Sequence, residues 1–96
     1  MIIFARDAKN KLEKLQGWKP ENSCIRKTFA FGSFLESIKF VNSVSGIAEK
    51  LQHHPDIKIN YTNVEISTTT HSEKGLTEKD FLLARQIEDA YNKMKK

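Results

Sequence analysis

Between residues 23 and 31 the chain alternates. Ile25, Lys27, Phe29 and Phe31 point one way, and Cys24, Arg26, Thr28 and Ala30 the other. A period of two predicts a half-buried β-strand. At Gly32-Ser33 the period changes: Phe34, Ile38, Val41, Val44 or Ser45, Ala48 and Leu51 recur at helical spacing. Ser33, followed three residues later by Glu36, forms a capping box that opens this long amphipathic helix. The helix should stop before Pro55, because the residue preceding a proline is pushed out of the helical region.

The flanking segments complete the pattern. Residues 5–15 read as a short first helix with Ala8, Leu12 and Leu15 on one face, ended by Gly17. Trp18-Lys19-Pro20 reads as an extended piece, confined by its proline to a sheet edge. Residues 57–60 and 64–70 read as two strands joined near Tyr61-Thr62-Asn63, and Gly75-Leu76 as a turn. Thr77, with Asp80 three positions later, is a second capping pattern, opening a last helix with Phe81, Ala84, Ile87 and Tyr91 on one face. There is no internal repeat, linker or low-complexity segment. Helix, strands, helix, strands, helix is an α+β order: one domain over residues 1–96, an antiparallel sheet with helices packed on one face.

Composition narrows the functional classes. A chain of 96 residues buries a modest core, which association would extend. With 39% hydrophobic and 29% charged residues it is an ordinary globular sequence. The net charge of +4 comes from lysines interspersed with acids, except at Lys93-Met94-Lys95-Lys96. That run reads as a solvated helix end complementing the helix dipole, so nucleic acid is not an expected partner. Cys24 is the single cysteine, inside a strand, so neither a disulfide nor a nucleophile is expected. The apolar start is broken by Arg6, Asp7 and Lys9 and does not read as a signal peptide. No apolar run approaches the roughly 20 residues of a membrane helix. A soluble, cytoplasmic protein is the expectation.

Candidate chemistry gathers in one stretch. His53 and His54 follow the long helix directly, His71 follows a strand, and Pro55 locks the His-His pair. Element ends are where side chains converge on a cleft while rigid backbone holds them. A helix C-terminus also favours the imidazolium a general acid needs. On pattern alone, a functional cluster and ordinary solvated or structural histidines stand level. Zinc is the competing chemistry, but side chains of adjacent ligands diverge, and there is neither a cysteine pair nor a His-Glu-x-x-His motif, so no metal is expected. No glycine-rich phosphate loop is present.

Glu49-Lys50-Leu51-Gln52-His53-His54-Pro55, with Tyr61, His71 and Asp80 at their spacing, resembles the motif of the pterin-4a-carbinolamine dehydratases. Trp18, the segment Ile25-Arg26-Lys27-Thr28-Phe29, Phe34, Phe40, Thr69-Thr70-His71 and Gly75-Leu76-Thr77 extend the likeness over all but the first dozen residues. The resemblance implies a four-stranded antiparallel sheet with about three helices on one face, assembled as a homodimer or homotetramer. It implies dehydration of 4a-hydroxytetrahydropterin to quinonoid dihydropterin, without metal or cofactor, recycling the pterin of aromatic amino-acid hydroxylases. Carried over residue by residue, His53 and His71 are the acid–base pair, and His54 positions substrate beside Pro55. Glu49 accepts hydrogen bonds from the amino-pyrimidine edge, and the backbone at Thr69 and Thr70 meets the rest. Asp80 either caps its helix through the N–H of Thr77 or orients His71. Many members of the family carry tryptophan where this chain has Ile57, so an aromatic contact with substrate is missing. Two rival readings share the fold: a dimerisation or pterin-binding module without turnover, and an accessory protein of another pterin pathway.

Overall fold

The computed structural model describes residues 10–95. The first expected helix lies largely outside that range; of it, residues 10–12 are helical. Strand β1 (Lys19–Glu21) turns tightly into β2 (Cys24–Ala30); helix α1 (Phe34–Leu51) follows, then β3 (Asp56–Asn60) and β4 (Asn63–Thr68). A 3₁₀ turn at His71–Glu73 leads to helix α2 (Glu78–Lys95). The four strands form one antiparallel sheet in the order β1-β2-β4-β3. Pro20 sits on edge strand β1, where its missing N–H costs no central ladder bond. The fold class read from the sequence is the one found.

One face of the sheet is apolar because the strand period puts every second residue there. Ile25 and Phe29 of β2 and Val64 and Ile66 of β4 are buried against Phe40 and Val44 of α1 and Phe81, Ala84 and Ile87 of α2. Phe29 centres the aromatic packing, 4.8 Å from Phe40 and 5.0 Å from Tyr91 between ring centroids. Leu15 and Trp18 close the same core from the N-terminal side. The indole N–H of Trp18 donates to Glu88 (2.9 Å) on α2, and Lys27 pairs with the same carboxylate. Gly17 has φ +89°, a backbone conformation that glycine adopts without the strain a side chain would bring.

Two details of helix ends bear on the site. At the start of α1 the Ser33 hydroxyl accepts from the N–H of Glu36 (3.2 Å), while the Glu36 carboxylate reaches back to the N–H of Gly32 (2.9 Å), one residue beyond the usual partner. At its end Gln52 takes the left-handed conformation, φ 53°. The N–H groups of Gln52 and His53 then return to the carbonyls of Glu49 (3.3 Å) and Ala48 (3.1 Å). Helix closure therefore holds the backbone of His53 through bonds separate from those of its side chain.

Candidate active site

Beyond Ile66 the strand period continues inward with two polar residues. Thr68 and Thr70 are buried, while Thr69 between them is half-exposed. Thr70 pairs with Gly75 in an isolated bridge, its N–H donating to the Gly75 carbonyl at 3.0 Å. That loop returns the chain to the start of α2, where Asp80 lies fully buried.

The Asp80 carboxylate accepts four hydrogen bonds. Its Oδ1 meets Nε2 of His53 at 2.6 Å and the Thr68 hydroxyl at 2.8 Å. Its Oδ2 meets the Thr70 hydroxyl at 2.8 Å and the N–H of Thr77 at 3.0 Å. Thr77 and Thr70 hydroxyls also bond each other at 2.8 Å. Since Thr70 spends its proton on Asp80, Thr77 is the donor there. A carboxylate sealed from water needs such a set, because an unpaired buried charge is severely penalised. The cap expected at Thr77 is present, and the same side chain has a second role. The ring it holds belongs to His53, 27 residues away in sequence; the expectation that it would hold His71 is corrected on this point.

The other candidates sit around this cluster at different depths. The His53 side chain is 11% exposed, so only part of its ring reaches solvent. His54 turns outward, 58% exposed, and its Nε2 pairs with Glu49, which stands one helical turn earlier on α1. Pro55 is half-buried and leads into β3. His71 is exposed at the start of the 3₁₀ turn; its ring makes no hydrogen bond among the described residues, and its carbonyl accepts from Lys74 at 3.1 Å. The Thr69 hydroxyl donates to the Ser23 carbonyl at 2.5 Å, away from Asp80. Ile57 pairs with Ile66 and packs on the core, so its apolar surface supports β3 from inside.

A recess of about 280 Å³ adjoins the cluster, lined by Thr70, Ser72, Glu73, Thr77, Glu78 and Lys79. A larger hollow of about 830 Å³ lies between α1 and α2, with Gly46, Ile47, Ala90 and Met94 on its wall, and contains no histidine. The smaller recess is the one that borders this cluster, because Thr70 and Thr77 on its wall both bond the Asp80 carboxylate. Among the described residues no three His, Cys, Asp or Glu side chains are grouped to hold a metal ion. Cys24 is half-buried, its thiol bonded to the Glu21 carbonyl at 3.1 Å. Thr68 was not among the residues singled out from the sequence. Its signal was there in the alternation Val64, Ile66, Thr68, Thr70, which places 68 and 70 on the core face.

Fold and site together define a class: a small α+β domain with a one-sided sheet, at whose end a buried aspartate grips a histidine. Comparison with known proteins narrows this. The family model described as Pterin 4 alpha carbinolamine dehydratase matches residues 3–90, reaching nearer the N-terminus than the motifs quoted above. A Sulfolobus acidocaldarius protein, provisionally named pterin-4-alpha-carbinolamine dehydratase, is 44% identical over 91% of this chain and 96% of its own. A Roseiflexus relative with the same provisional name is 46% identical over 86% of this chain and 89% of its own. The crystal structure of a transcriptional coactivator/pterin dehydratase from Brucella melitensis superposes with a TM-score of 0.92 at 30% identity, covering 95% of this chain and 99% of that one. A pterin dehydratase-like RuBisCO assembly factor of the alpha-carboxysome shares the fold, with a TM-score of 0.65 at 21% identity over 77% of this chain and 86% of its own. The chain belongs to the pterin-4-alpha-carbinolamine dehydratase family.

Proposed function

We propose that this protein dehydrates 4a-hydroxytetrahydropterin to quinonoid dihydropterin and water by histidine acid–base catalysis. The 4a-hydroxyl leaves as water after gaining a proton, N5 gives up its proton, and a C4a–N5 double bond forms. One proton is supplied and one removed, so the protein ends as it began. Imidazole exchanges protons near neutral pH, and positioned general acid–base catalysis is typically worth about 10²–10⁴-fold. The observation carrying this reading is the grip of buried Asp80 on His53. A ring held by a carboxylate that three further donors orient is built to present one nitrogen in a fixed direction. His71, exposed one residue beyond Thr70, supplies the partner group. Glu49 and His54 meet the amino-pyrimidine edge, and the backbone at Thr69 and Thr70 completes the binding site.

The same reading covers the setting. The protein acts in the cytoplasm, recycling the pterin of a hydroxylase, and no helix among the described residues is long and apolar enough to cross a membrane. It works as a homodimer or homotetramer. Among the described residues strand β3 has a neighbour on one side only, and Ile59 on it and Tyr61 in the following turn are 38% and 69% exposed, an edge that association would cover. The assay is direct: synthetic 4a-hydroxytetrahydropterin is mixed with the protein and dehydration followed optically. A rate no faster than the uncatalysed one would remove the enzymatic reading and leave a binding or scaffold role.

A further inference from the structure

We infer that His53 exchanges its proton through Nδ1, because Asp80 pins the ring as its Nε2–H tautomer and Thr68 steadies that contact as a positioning residue. The inference rests on the reading of His53 as an acid–base group and specifies which atom does the work. Every partner of Asp80 faces it as a donor. The N–H of Thr77 can do nothing else, and the Thr68 and Thr70 hydroxyls point their protons at the carboxylate. A carboxylate has only acceptor sites to offer, so the nitrogen 2.6 Å from Oδ1 carries the hydrogen. In the neutral ring the lone pair is then on Nδ1. Among the described residues Nδ1 has no hydrogen-bond partner, and the one side-chain nitrogen or oxygen buried without a partner is Nε of Arg26. Nδ1 is therefore on the part of the ring that solvent, and a substrate, can reach.

The four bonds also dictate what an amide does in place of the acid. In Asp80→Asn the oxygen must stay at the Oδ2 position, because the backbone N–H of Thr77 needs an acceptor there. The amide NH₂ then falls at the Oδ1 position, facing Thr68 and Nε2 of His53. A threonine hydroxyl can rotate and accept; Nε2 can accept only by giving up its proton. The ring proton moves to Nδ1, and the reactive lone pair turns inward. Asp80→Asn thus disables His53 by reversing its tautomer while the fold persists.

The test is nitrogen NMR of the imidazoles in ¹⁵N-labelled protein at a pH where His53 is neutral, with His53→Gln used to assign its resonances. The parent protein should show a protonated Nε2 and a bare Nδ1. Asp80→Asn should show the reverse and lose about 10²–10⁴-fold in turnover. Thr68→Val should keep the parent tautomer and lose up to about tenfold in kcat, the worth of one hydrogen bond, with KM within about twofold. A parent ring protonated on Nδ1, or an Asp80→Asn ring still protonated on Nε2, overturns the inference; the parent spectrum decides even if Asp80→Asn does not fold. Because the spectra need no turnover, the two claims separate. A reversed tautomer in a variant that still dehydrates at the parent rate would overturn the role given to Nδ1 and, with it, the acid–base reading of His53.

Discussion

Adjacent histidines meet two very different carboxylates in this protein. His53 is held by Asp80, fully buried and bonded to two threonine hydroxyls and a backbone N–H besides the ring. His54 is held by Glu49 on the surface, the two side chains 58% and 71% exposed. In water such a pair is worth little and is remade readily, because solvent screens it and two mobile side chains must be ordered. In the interior the pairing is obligatory, since removing one partner leaves polar groups without water to take their place. A histidine–carboxylate pair is thus fixed in one case and free to rearrange in the other. A group that must move a proton gains from being fixed, and one that must accommodate a ligand gains from being free to swing.

Asp80→Ala should break the contrast most severely. It strands the Thr77 N–H, two buried hydroxyls and the His53 ring, and should cost roughly 3–5 kcal/mol, the range for breaking a buried pair. Chemical denaturation would measure it, and a loss nearer about 1 kcal/mol would mean that Asp80 acts only as a helix cap. His71→Ala should leave stability within about 0.5 kcal/mol, as for an exposed residue, yet lower turnover by one to three orders of magnitude, roughly the acid–base range. Unchanged turnover there would remove His71 from the mechanism. Glu49→Gln should act mainly on KM, raising it by about tenfold or less with kcat nearly constant, the mark of lost substrate binding. Chelation should have the smallest effect of all, leaving the rate unaltered; activity lost and then restored by zinc would bring a metal into the chemistry.

Much of this arrangement was legible in the sequence because burial and period coincide. The two strand periods, the Ser33 and Thr77 caps and the apolar stripes of α1 and α2 each follow from local chemistry, and the structure has them where the pattern put them. The partner of Asp80 was not legible, since His53 and His71 are both at element ends and only tertiary packing chooses between them. Nor was the closure of α1: left-handed residues at helix ends are usually glycine, and Gln52 carries no such mark. Thr69 and Thr70 look alike in the chain, but the alternation from Val64 sends one hydroxyl outward to Ser23 and the other inward to Asp80.

The most direct test of the buried pair as the catalytic one compares His53→Ala with His54→Ala in the dehydration assay, each variant first shown to be folded by circular dichroism. His53→Ala should lower kcat by one to three orders of magnitude. His54→Ala should keep kcat within about threefold and raise KM instead, as expected for a contact that only binds. Equal losses of kcat in both variants, or a near-normal kcat in His53→Ala, would contradict the assignment of the acid–base role to the histidine that Asp80 holds.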